Sequence, residues 1–129
     1  MAGHSDFLVV LTTGREDNGK HATLAFACAL SAVASGKRTK VFLTGDGAIW
    51  GFKGTAQDIM VQGFPPLESM IRDYQEAGGS LLCCSTCYLL CSNGPPSTDI
   101  DPTALRPGAE VAGFPVLIET ACNGGSVTF

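Results

Sequence analysis

The chain is short of positive charge: eight Lys and Arg stand against twelve Asp and Glu in 129 residues, giving a net charge of -4 and a pI near 4.9. Only Lys37, Arg38 and Lys40 cluster. The basic stripe that neutralises phosphates is missing, which excludes nucleic acid as a partner class. A long apolar run is missing too. The longest apolar helical stretch, HATLAFACALSAVASG, holds 16 residues between Lys20 and Lys37, whereas a helix needs about 20 to cross a bilayer. No membrane-spanning segment is expected. The start, MAGHSDFLVVLTTGRED, sets Asp6 ahead of a short apolar segment where a secretory signal needs basic residues. A cytoplasmic protein follows as the expectation. Histidine is scarce, and neither His4 in the N-terminal tail nor His21 in a first helical turn gains a role from its surroundings. No internal repeat or low-complexity tract is present.

The length suits a single domain over residues 1–129, large enough to fold without staples. DFLVVLTTG (6–14) is apolar and β-branched, the pattern of a strand covered on both faces, and is expected as the first, central strand. Residues 19–36 read as a buried helix, with Leu24, Ala27, Cys28 and Ser31 on one stripe, Phe26, Leu30 and Val33 beside it, and Gly36 closing it. RTKVFLTGDG (38–47) is a second strand ending in a turn, and residues 48–64 form a loop with room for a short helix. PPLESMIRDYQEAGG then starts a helix at proline and repeats Leu67, Met70, Ile71 and Tyr74 at helical spacing. SLLCC (80–84) is strand three, and the four prolines of 93–108 mark a surface loop. The tail divides into strand AEVAG, helix FPVLIETACNGG and strand SVTF. Alternating strands and helices predict a three-layer α/β/α domain with a five-stranded parallel sheet, since parallel neighbours need a crossover.

Gly14, Gly19 and Lys20 in GREDNGKH fit the phosphate-loop spacing, but His21 stands where that loop needs a hydroxyl for magnesium, and Glu16 and Asp17 would repel a triphosphate. The better reading is that Glu16, Asp17 and Asn18 cap the following helix.

Four of six cysteines crowd into GGSLLCCSTCYLLC. In a reducing compartment such a cluster is catalytic or metal-binding more often than a disulfide. Cys84, Cys87 and Cys91 follow C-x2-C-x3-C and share a helical face, yet no second C-x-x-C completes a tetrahedral site. Cys28, Cys122 and Cys91 read as small core hydrophobes on apolar stripes. Cys83 and Cys84 differ, because they end a parallel strand ahead of a helix start, where ligands of open α/β sheets bind. Side chains alternate along a strand, so one of the pair is expected buried and the other facing the site. A thiol of pKa about 8.5 is only about 3 per cent ionised at neutral pH, and roughly 2 kcal/mol from helix amides and dipole would ionise about half of it. Cys84, nearer the helix entry, is the first choice as nucleophile, and Cys83 the second.

The ordered series of FLVVLTTG, the Ala-rich helix, KVFLTGDGA, MIRDYQEAGGSLLCCSTC and closing SVTF resembles the DsrE/DsrF/TusD-like family of sulfur carriers over nearly the whole chain. The resemblance implies a DsrE/F-like fold, a homo-oligomer and a reactive cysteine after the third strand, which maps onto Cys84 with Cys87 as second thiol. Such proteins take sulfane sulfur as a persulfide and exchange it with TusA-like carriers or a rhodanese; some in sulfur oxidisers carry a thiosulfonate. Cys83, making a vicinal pair, and the proline-rich loop after Cys91 depart from the family pattern. Sulfur transfer by thiolate attack needs no metal or organic cofactor, and a protein doing it is a transferase whose substrate sits on another protein. Trp50 and Phe52 are expected either to wall the site or to fill the core or an oligomer contact. A thiol-disulfide redox protein using Cys84 and Cys87, and a metal-binding interaction module, are the alternatives.

Overall fold

The computed structural model describes residues 6–87 and 104–129. Strands β1 (Asp6–Leu11), β2 (Arg38–Leu43), β3 (Ser80–Cys84), β4 (Glu110–Ala112) and β5 (Gly124–Thr128) form one sheet in the order β4-β3-β2-β1-β5. Every neighbouring pair is parallel. The expected five-stranded parallel sheet is present, with one adjustment: β1 is interior, between β2 and β5, and β2 holds the middle.

Strand alternation sorts the core into two layers. Val9, Leu11, Val41, Leu43, Leu81 and Cys83 face helices α1 (Lys20–Ala34) and α2 (Leu67–Glu76). Leu8, Phe42, Leu82 and Cys84 face Val116 and Leu117 of α3 (Phe114–Cys122). The register keeps the faces aligned, since Val9 lies beside Val41, Val41 beside Leu81, and Leu43 beside Cys83.

The buried residues of α2 are the four its spacing predicts, Leu67, Met70, Ile71 and Tyr74. Those of α1 are not the expected stripe. Ala22, Ala25, Phe26 and Ala29 are buried while Leu24 is 45% exposed. The alanine face lets the helix axis approach the sheet closely, and dense packing there outweighs burying the longer Leu24. Gly36 does close α1, taking a φ of +84° while its N–H donates to the Val33 carbonyl and that of Lys37 to the Ala32 carbonyl.

Two segments depart from expectation. After β2 a 3-10 helix spans Gly45–Gly51, swallowing the predicted turn. The end of the predicted surface loop is buried: Leu105 and Arg106 are 5% exposed, because Leu105 bridges Phe52 and the Arg106 N–H donates to the Gly51 carbonyl at 2.8 Å. Backbone pairing with residues 51–53 draws that stretch inward. The rest of the loop, 93–103, lies outside the described residues. The tail strand starts earlier than SVTF, since Gly124 and Gly125 join β5 opposite Asp6 and Phe7. A side chain at 124 would put Cβ 1.7 Å from the Asp6 carbonyl oxygen, so only glycine allows that approach.

Candidate functional site

The carboxyl ends of β2 and β3 lie side by side, with Leu43 paired to Cys83. Thr44 and Gly45, just past β2, therefore stand next to Cys84 and the turn that follows it. Cys84 is the last residue of β3, and the chain is helical from Ser85 to Cys87. That abrupt strand-to-helix change aims unsatisfied first-turn amides back at the strand end.

Burial pushes the Cys84 thiol up, but the backbone amides of Cys87 and Thr86, the Thr44 hydroxyl and the Cys87 thiol all hydrogen-bond to it, and together they hold it below its ordinary value. Hydrogen-bond donors thus converge on one sulfur, the kind of surroundings that lower a thiol pKa. The Cys87 sulfur in turn accepts the Gly45 N–H at 3.0 Å and lies 3.5 Å from the Thr44 hydroxyl. Thr44 thus reaches both thiols. No signal inside the cysteine stretch points to Thr44 or Gly45; only the parallel register of strands two and three reveals them.

Cys83 and Cys84 point to opposite faces, as strand geometry demands. The expected contrast in exposure is absent, for Cys83 is 0% and Cys84 1% exposed. Cys83 packs so tightly on Gly51 that a Cβ there would lie 2.0 Å from its sulfur. Cys87, half-buried, is the thiol of the three nearest solvent. Cys84 is covered by the apolar layer of Leu8, Phe42 and Leu82, flanked by Cys87 and Ala112.

The other cysteines divide. Cys28 is half-buried and burial raises its pKa, whereas Cys122 is exposed, because its position on α3 faces away from the sheet. The core reading fails for Cys122. Cys91 lies outside the described residues, and none of the five described cysteines forms a disulfide. Among the described residues no three His, Cys, Asp or Glu converge as metal ligands.

Of the three residues expected to cap the helix, Asp17 does so. The Asp17 carboxylate accepts the Gly19 and His21 backbone N–H groups at 3.1 and 2.8 Å and also contacts the His21 ring, occupying amides that a phosphate would use. Arg15 turns away to Asp58 and the Thr55 carbonyl. Trp50 is fully buried in the α1/α2 layer, its indole N–H donating to the Thr13 carbonyl at 2.9 Å, so it fills core on the face opposite Cys84. Phe52 packs at the edge of the same layer.

No helix among the described residues is long and apolar enough to cross a membrane. A search of the curated proteins finds no match. The crystal structure of the ychN protein from E. coli superposes with a TM-score of 0.66 at 16% identity, covering 97% of this chain and 99% of that one, a likeness of fold. The family model described as DsrE/DsrF-like matches residues 6–124, and the chain therefore belongs to the DsrE/DsrF-like family, a membership that supports a sulfur-related function.

Proposed function

We propose that this protein is a sulfur carrier of the cytoplasm that holds sulfane sulfur on Cys84 as a persulfide and passes it to another protein's thiol. The observation that carries the reading is the ring of donors about Cys84: two first-turn amides, the Thr44 hydroxyl and the Cys87 thiol, which favour its thiolate. The thiolate attacks the outer sulfur of a donor persulfide, forming the Cys84 S–S bond as the donor's S–S bond breaks and its thiolate leaves. An acceptor thiolate then attacks the outer sulfur and Cys84 leaves, again as a thiolate. A lowered pKa raises the share of Cys84 present as attacking thiolate in the first step and makes it the better leaving group in the second, and no cofactor enters the electron balance. Sulfur relay partners of TusA or rhodanese type fit as acceptor and donor, and a homo-oligomer is the working state. Cys87, half-buried and therefore more accessible than Cys84, is in this reading the thiol that incoming sulfur meets first. Cys83, packed on Gly51 in the other core layer, has a structural part.

Intact-mass measurement of the reduced protein after exposure to polysulfide or a persulfidated rhodanese tests this. The expected result is a gain of sulfur that dithiothreitol removes, lost in Cys84→Ser and kept in Cys83→Ser. A gain that survives Cys84→Ser defeats the assignment, and a thiosulfonate-sized gain from tetrathionate, formed as the Cys84 thiolate displaces thiosulfate, redefines the cargo. A second reading, a thiol-disulfide oxidoreductase, rests on the same Cys84 and Cys87 contact. Rapid insulin reduction with no sulfur adduct would favour it.

A further inference from the structure

Local geometry sets Cys84 and Cys87 against each other. Cys84 ends β3 and residues 85–87 are helical, so Cys84 takes the N-cap position and Cys87 is the third helical residue. A cap side chain reaches forward to the second and third amides of its helix. The amides of Thr86 and Cys87 do bond to the Cys84 sulfur, and the Cys87 thiol bonds to it as well. In a capping box these same two positions turn their side chains toward each other. Here both carry sulfur. The end of β2 holds the pair from the side: the Gly45 N–H donates to the Cys87 sulfur at 3.0 Å, while the Thr44 hydroxyl lies 3.5 Å from that sulfur and also bonds to Cys84. Cys84 and Cys87 share one apolar layer, and Cys83 lies in the other.

This contact gives a loaded Cys84 a second reaction within the chain. When Cys84 carries a persulfide, its inner sulfur is still the atom beside Cys87, and a thiol held there attacks at an effective concentration that no free thiol matches. Attack on the outer sulfur would only move the cargo. Attack on the inner sulfur expels hydrosulfide, the conjugate base of a stronger acid than an alkyl thiol and so a good leaving group.

We propose that Cys87 is a resolving thiol, which unloads Cys84 by releasing its sulfur as sulfide and closing a Cys84–Cys87 disulfide. This rests on the carrier reading, because it needs a persulfide on Cys84. Cys87 Sγ forms a bond to Cys84 Sγ as the bond from Cys84 Sγ to the outer sulfur breaks; the outer sulfur leaves with the electron pair and takes up the proton that Cys87 gives away. The sulfane sulfur is reduced to sulfide and the cysteine pair is oxidised to a disulfide, so one turnover needs no outside reductant. The closed pair accepts no new sulfur until a dithiol reductant reopens it. A carrier without an acceptor thus sheds its cargo and switches itself off.

The reduced full chain, loaded briefly with polysulfide, freed of excess reagent without air and followed by sulfide assay, intact mass and peptide mapping, tests this. Sulfide should appear in step with the sulfur lost and with a Cys84–Cys87 disulfide, about tenfold or more faster than in Cys87→Ser, which keeps its persulfide. Cys87→Ala is a second variant should the serine fold poorly, and Cys83→Ala, altered in the other layer, should unload like the parent. The proposal is overturned if the parent and the folded Cys87 variants lose sulfur at the same rate, if the sulfur settles on Cys87 without leaving the chain, or if sulfide appears without that disulfide. A parent that never gains sulfur at Cys84 defeats the carrier reading and this step with it, whereas full loading followed by equal retention defeats the resolving thiol alone.

Discussion

Replacing Gly51 with alanine plants a methyl on the Cys83 sulfur. The added Cβ would lie 2.0 Å from Sγ and 3.4 Å from Leu43 Cδ1, against an ordinary contact of about 3.5–4.0 Å. Gly51 is not among the positive-φ glycines, so the backbone accepts alanine and the penalty is one of packing. Overpacking of this kind costs about 1–3 kcal/mol. Cys83→Ala, which removes one buried sulfur atom, costs about 1–2 kcal/mol on the scale of small core truncations. Independent sites would give a double variant losing about 2–5 kcal/mol, the sum of the two. The structure predicts otherwise, because the methyl added at position 51 enters the space the thiol vacates, so the double variant should be more stable than Gly51→Ala alone. Urea unfolding read by the fluorescence of Trp50, the single tryptophan, which neighbours Gly51 in sequence and is fully buried, measures all four proteins. Additive losses within about 0.5 kcal/mol would refute the contact. Sulfur loading on Cys84, which lies in the other core layer, should survive in every variant that remains folded.

Three further outcomes follow from the same geometry. The alkylation of Cys84 by iodoacetamide, mapped by peptide mass, should rise with pH around a midpoint below that of an ordinary thiol; Thr44→Val should raise that midpoint and slow the reaction at neutral pH by about tenfold, the worth of one hydrogen bond to a charge, and an unmoved midpoint would remove Thr44 from the site. Because the Cys84 pKa is depressed on folding, its contribution to stability is present above the ordinary thiol pKa and is lost as pH falls through the depressed one; Cys84→Ser should show a flatter stability profile across that alkaline window. Tyr74 is raised above its ordinary 10.0 chiefly by burial, and its hydroxyl donates to the Ser80 carbonyl at 2.6 Å with the Thr39 carbonyl 3.1 Å away, so its stabilisation is complete below pH 10 and lost as pH climbs through the raised value; Tyr74→Phe should cost about 1–3 kcal/mol at neutral pH and abolish that alkaline loss, as denaturant unfolding at several pH values will show.

Much of the architecture is written in local pattern. Apolar β-branched runs ending in glycine mark β1 and β2 in a doubly covered sheet, and the spacing of Leu67, Met70, Ile71 and Tyr74 identifies the buried side of α2 without help from any neighbour. Alternation along β3 likewise assigns Cys83 and Cys84 to opposite faces. Where a face is made of small residues the pattern misleads: in α1 the alanines at 22, 25 and 29 pack inward and Leu24 turns outward, because close approach to the sheet is a property of two surfaces together. Cys122 misleads in the same way, since an apolar stripe on α3 says nothing of which side finds the sheet.

The chemistry of the thiols needed the third dimension. Sequence alone placed a cysteine between a strand and a helix start, and hence near orphan amides. The hydroxyl of Thr44 and the N–H of Gly45 reach Cys87 from more than 40 residues away, and Arg106 is buried by backbone pairing to Gly51 across 55 positions. A linear pattern carries periodicity and local conformational preference, which is why strands, helices and their faces could be read from it. Hydrogen bonds between distant segments exist only once strands choose their neighbours and register, so which sulfur gathers the donors of the second strand's end was decided by the folded chain.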